Sequence, residues 1–156
     1  MHFVLDQNFP IQATGLSWPP SLQLTRLAAI EPTLTGNHDD WEILLALQRR
    51  GDVDGFITND ADMLQLAKEM VVLARSRLVL VVTDGVGHDP IRATGLIMTH
   101  LQQIARNVTG RSQIYILRPG QLTPASPGTQ INRIAQRLGI QPNILISQQS
   151  ADIDLT

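Results

Sequence analysis

The chain has 156 residues, is 43% hydrophobic and 17% charged, and carries a formal net charge of −2. That composition is too apolar for a disordered segment, and the length suffices for one buried core. The absence of cysteine excludes disulfides and thiolate metal sites, and no apolar run approaches the roughly 20 residues that cross a bilayer, so a soluble cytoplasmic protein without membrane partners is expected.

Phe3-Val4-Leu5 is a short apolar run that predicts a buried parallel strand with Asp6 at its C-terminal end. Pro10 suits the first turn of a following helix, and Leu22–Thr25 alternates like a strand, although Leu24, Leu27 and Ala28 also suit a helix. Glu31–Asn37 reads as a loop. Asp39-Asp40-Trp41-Glu42 begins a helix with a capping-box signature, and Gly51 stops it. Phe56-Ile57-Thr58 is the next strand, followed by a helix over Ala61 to about Arg75 with Leu64, Ala67, Val71 and Ala74 on one face. Leu78–Thr83 is the strongest strand signal and ends at Asp84. A loop, Gly85–Pro90, leads to a helix over about Ile91–Asn107 with Leu96, Thr99, His100 and Ile104 along it, and Ser112–Leu117 is a further strand. Residues 118–128 read as a Pro/Gly/Ser-rich linker, Thr129–Leu138 as a short helix and Asn143–Ile146 as an extended piece. Alternating strands and helices predict an α/β fold with a mainly parallel sheet and right-handed crossovers, so that the strand ends share one edge.

That edge is expected to collect Asp6, the Asp60/Asp62 pair and Asp84, with Asp40 or Glu42 joining from a helix start. Carboxylates from separate parts of a chain repel unless a cation neutralises them, and hard oxygen ligands suit Mg²⁺ or Mn²⁺. Each residue also has a structural explanation. Asp60 can cap a helix, Asp62 can meet its dipole, Asp39 and Glu42 can form a capping box, and Asp84 can open a turn. Asp6 has no cap to make, and a carboxylate at a buried strand end needs a partner. The case for a site therefore rests on coincidence of position.

Three blocks resemble the PIN-like domain family, in its short bacterial nuclease and toxin-component branch. Phe3–Pro10 looks like that branch's opening "LLDENLP", Asp39–Leu44 like its "sDeeil" helix start, and Ile57–Leu64 like its "viTrDkDF" segment. The blocks lie in order over residues 1 to about 117, which places a PIN-like domain at 1–118 and a linker and extension at 119–156. The resemblance implies a three-layer α/β/α Rossmann-like sandwich and a metal-dependent ribonuclease site. By position, Asp6, Asp40, Asp60 and Asp62 would be the metal-binding, catalytic carboxylates, with Glu42 competing for the second place. Asn8, Thr58 and Asn59 would support them, with Asp84 nearby. An RNA substrate, an antitoxin protein as partner and a homodimer are implied by the same likeness. Gln7 and Met63 depart from the pattern, the segment Thr83–Pro90 stands where the branch more often has an arginine-containing turn, and the tail beyond Pro119 has no counterpart in it.

Charge is uneven along the chain: residues 1–90 hold 12 acidic and 6 basic side chains, residues 91–156 hold 2 and 6. A basic flank beside an acidic centre is compatible with a nucleic acid, although ordinary surface charge is the favoured reading of this asymmetry alone. Arg75, Arg77, Arg92 and Arg106 are the candidates for holding an RNA backbone. Aromatic residues make up 4%, too few for a base-stacking stripe. His88 is read either as a phosphate contact or as a loop imidazole with a structural hydrogen bond. The leading expectation is a PIN-like endoribonuclease using Mg²⁺ or Mn²⁺. The alternatives are a PIN-like binding or regulatory module without catalysis, and a phosphoryl-handling α/β domain with Asp6 as nucleophile, which Gln7-Asn8 and the absence of a strand-end lysine disfavour.

Overall fold

The computed structural model describes residues 1–154. Its centre is a six-stranded sheet in the order β2-β1-β3-β4-β5-β6. Here β1 is His2–Leu5, β2 Gln23–Arg26, β3 Gly55–Thr58, β4 Val79–Thr83, β5 Gln113–Arg118 and β6 Gln121–Ala125. The first five strands pair in parallel, and β6 returns antiparallel to β5 through a turn at Gly120. Strands β3 and β4 are buried along their whole length, which is why their sequences run apolar rather than alternating. Gly55 has a separate reason to be glycine. A Cβ there would sit 2.6 Å from Cε1 of Phe3 and 2.7 Å from the carbonyl oxygen of Val79, across the neighbouring strands.

Because side chains alternate along a strand, two hydrophobic clusters form on opposite faces of the sheet. One contains Val4, Phe56, Leu80 and Val82 and packs against α1 (Leu27–Ile30), α2 (Asp40–Arg50), α3 (Ala67–Ala74), α5 (Pro127–Leu138) and α6 (Pro142–Asp154). The other contains Phe3, Leu5, Ile57, Val79 and Val81. It packs against α4 (Pro90–Arg106) and a 3₁₀ turn at Ile11–Gly15. The connections β3–α3–β4 and β4–α4–β5 step the same way across the sheet yet lie on opposite faces, so they have opposite hands. The uniformly right-handed crossovers expected from the sequence are therefore not what the chain adopts. The face that α4 would cover with the hand of the other crossovers is occupied by α5 and α6.

Several predicted elements are corrected. Residues 61–75 are not one helix: a 3₁₀ turn, Ala61–Gln65, stops at an extended Leu66 before α3 begins. Asp60 Oδ1 accepts the N–H of Asp62 at 3.0 Å and tightens this entry, which places Met63 in the core. The buried stretch of α3 is Glu69–Leu73, because α2, α5 and α6 pack around it, while Ala74 is exposed. On α4 the buried face is Ala93, Thr94, Leu96, Ile97, Leu101 and Ile104, with Thr99 exposed. Residues 121–125 of the expected linker are strand β6, whose Pro124 is tolerated because the strand lies at the sheet edge. Asn143–Ile146 is helical within α6, and only Leu145 of its apolar run is buried. Ile131, Ile134, Leu145 and Ile153 complete the core on the α3 face, so residues 121–154 are built into the same structure as the strands.

Candidate functional site

The chain leaves β1 toward β2 on one side and returns to β3 on the other. The C-terminal ends of β1 and β3 thus flank a topological switch point, where open parallel sheets take their ligands. Asp6 follows β1 there and is 5% exposed. Thr58, the last residue of β3, donates its hydroxyl to Asp6 Oδ2 at 2.9 Å. The same Thr58 oxygen accepts the N–H of Asp60 at 3.1 Å. One buried side chain thereby ties the two acidic positions together across the switch point.

Asp40 opens α2 and enters the same group. Its carboxyl is pushed up to about 6, first by burial and then by the charges of Asp6, Asp60, Glu69 and Asp39. The Asp6 carboxyl is also held above its ordinary range by burial, with the charge of Asp60 adding. The Thr58 hydroxyl and the N–H groups of Gln7 and Asn8 oppose that shift. Asp6, Asp40 and Asp60 therefore form one electrostatic unit.

Glu42 does not join it. Its Oε2 accepts the N–H of Asp39 at 3.1 Å and lies 3.3 Å from Nδ1 of His38, so the capping role absorbs the carboxylate. Asp62 is exposed at the start of the 3₁₀ turn, where its N–H meets Asp60. Asp84 follows β4 and is neutralised by Arg118, whose Nη2 and Nε lie 2.6 and 2.8 Å from Asp84 Oδ2. Asn59 donates Nδ2 to the carbonyl of Asn8 at 3.4 Å, joining the two loops.

Glu69 was not legible as a site residue, yet it is 6% exposed in α3 and its charge acts on Asp40. Burial pushes its carboxyl up, and the charge of Asp39 adds to that. A signal was present: Glu69 is the one acidic residue of that helix and stands directly before its apolar run Met70–Leu73.

Of the four arginines considered for an RNA backbone, Arg92 alone lies at this edge, in the first turn of α4, 3.5 Å from Asp89. Arg75 ends α3 and bonds Ser150 and Asp154. Arg77 precedes β4, and Arg106 ends α4 beside Met1 and Leu22. Helices α3 and α4 run back against the strands, so their C-terminal arginines reach the opposite edge and are not brought to the acidic group.

A cleft of about 520 Å³ adjoins the acidic unit, lined by Asn8, Asn59, Asp60, Thr83, Asp84 and the loop with Gly85, Gly87 and His88. The donor set of Asp6, Asp40 and Asp60 is all hard oxygen, suited to Mg²⁺ or Mn²⁺. Among the described residues, no three His, Asp or Glu side chains converge closely enough on one point to hold an ion. No helix among them is long and apolar enough to cross a membrane. Comparison with protein-family models, with curated proteins and with solved structures finds no match to this chain.

Proposed function

We propose that the chain is a PIN-like, Mg²⁺- or Mn²⁺-dependent endoribonuclease whose α/β core is a three-layer, Rossmann-like sandwich. The observation that carries this reading is the electrostatic unit of Asp6, Asp40 and Asp60 at the β1/β3 switch point, with Asp40 raised to about 6 by burial first and by its acidic neighbours second. Asp6, Asp40 and Asp60 lie within electrostatic reach of one another without converging on one point, and a cation bound between them would draw these hard-oxygen donors in to hold it. Bound there, such an ion supplies an activated water and stabilises charge on a phosphodiester.

The chain's own residues prepare that role. Thr58 fixes the Asp6 carboxylate through its hydroxyl and fixes the backbone of Asp60 through its oxygen. The N–H groups of Gln7 and Asn8 favour the ionised form of Asp6 against its burial. Asp40, whose carboxyl stands at about 6, would give up its proton to a cation bound there.

A binding module without cleavage is the second reading, favoured by the engagement of Asp84 with Arg118, which removes one strand-end carboxylate from the acidic set. The two are separated by incubating folded protein with single-stranded RNA and Mn²⁺. Cleavage that disappears in Asp6→Asn and Asp60→Asn is expected. Thermal unfolding gives an independent readout: Mn²⁺ raises the Tm of the wild type and not that of Asp6→Asn. Intact RNA together with a Tm indifferent to Mn²⁺ sinks the nuclease reading.

A further inference from the structure

The loop Thr83–Pro90 is as motif-like as the acidic blocks, and the reading above leaves it without a role. Thr83 ends β4, is 1% exposed, and its Oγ1 meets no hydrogen-bond partner among the described residues. Buried hydroxyls are almost always satisfied, so an orphan calls for a cause. Thr83 is also part of the wall of the cleft beside Asp60. The other orphan hydroxyl, Thr94 Oγ1, lies within α4 and does not line that cleft.

After Thr83 the chain turns through Gly85 and Gly87, at φ +74° and +56°. The N–H groups of Gly85, Val86, Gly87 and His88 meet no acceptor among the described residues. Successive free N–H groups in a left-handed turn form a concavity that suits an anion. The α4 N-terminus that follows is spoken for, since Asp89 Oδ1 accepts from Ile91 and Arg92 at 3.0 and 3.2 Å. Of the two carboxylates in the wall, Asp84 is neutralised by Arg118 and Asp60 belongs to the acidic unit.

We infer that this cleft seats a phosphate of the RNA strand next to the one hydrolysed, received by Thr83 Oγ1 and the N–H groups of Gly85, Gly87 and His88. The assignment rests on the nuclease reading for the identity of the strand, and Asp60, shared by cleft and acidic unit, makes the two positions adjacent. The volume of about 520 Å³ accommodates a phosphate with its attached sugar.

The test measures binding without cleavage, by anisotropy of a fluorescein-labelled single-stranded RNA with EDTA present. Thr83→Val, which keeps the shape and removes the hydroxyl, is expected to weaken binding about tenfold. Thr83→Ser is expected to bind as the wild type does, and inorganic phosphate to displace RNA from wild type better than chloride at equal ionic strength. Since Thr83→Val removes an unpaired hydroxyl, its Tm stays level or rises. An unchanged affinity in Thr83→Val overturns the inference. If that variant loses Tm, Gly87→Ala decides: its Cβ meets nothing within 4 Å, but at φ +56° alanine strains the turn that presents the N–H groups, so weaker binding is expected and an unchanged affinity overturns the inference equally. RNA left intact with Mn²⁺ but bound less tightly by Thr83→Val defeats the cleavage reading while the phosphate subsite stands.

Discussion

Replacing Asp40 by Asn should make the metal-free protein more stable, and only at neutral pH. The carboxyl moves from an ordinary 3.8 to about 6 on folding, because burial and the neighbouring acids disfavour its charge. The folded state therefore holds more protons than the unfolded chain between those values, and stability falls as pH rises through that window. Two pKa units correspond to about 3 kcal/mol. Partial exposure screens this to about 1–2 kcal/mol. Asn also forfeits the attraction of a carboxylate in the first helical turn, about 0.5 kcal/mol, which leaves a net gain near 1 kcal/mol. Urea unfolding at pH 7.5 should show that gain, with a Tm rise of about 2–4 °C. At pH 4, where the wild-type carboxyl is protonated in the folded state, the gain should vanish. An Asp40→Asn protein less stable than wild type at pH 7.5, or equally stabilised at both pH values, refutes the electrostatic account of the site.

Thr58→Val removes the buried hydroxyl that serves Asp6 and Asp60 and should lower stability by about 2–3 kcal/mol in urea, with Thr58→Ser recovering most of it. Gly55→Ala forces a Cβ against Phe3 and the Val79 carbonyl and should cost about 3 kcal/mol, seen as a large drop in Tm or in soluble yield. Arg77→Ala and Arg106→Ala lie at the edge away from the acidic unit and should leave RNA affinity within about twofold of wild type. Arg92→Ala, at the near edge, should weaken binding and flatten its salt dependence by about one unit of slope.

The central strands and the positions of Asp6, Thr58 and Asp60 were legible because a strand buried on both faces leaves an unbroken apolar run, and the first polar residue after it marks the sheet edge. The choice between Asp40 and Glu42 was not legible, since both stand in a helical first turn; the hydrogen bond from Asp39 to Glu42 separates them. Arg75, Arg77 and Arg106 lie away from the acidic edge for a topological reason, because composition says nothing of which end of a helix reaches which end of a strand. Strand β6 was hidden by Pro124, which composition assigns to a loop and an edge strand accepts. In α6, three adjacent apolar residues imitated a strand, whereas Leu145 alone among them faces inward.

The packing of α5 and α6 on α3 has a kinetic consequence. Side chains as late as Ile131, Ile134, Leu145 and Ile153 close a core that begins with Val4. During synthesis from the N-terminus, the sheet can pair through β5 while Val71, Leu73, Leu80 and Ile114 still lack the helices that cover them. Contacts spanning most of the chain are slow to form, and the uncovered apolar surface is prone to association in the interval. A nascent chain arrested near residue 120 should accordingly be captured by a hydrophobic-surface chaperone and be cut readily by protease, whereas a chain extended past residue 154 should escape both.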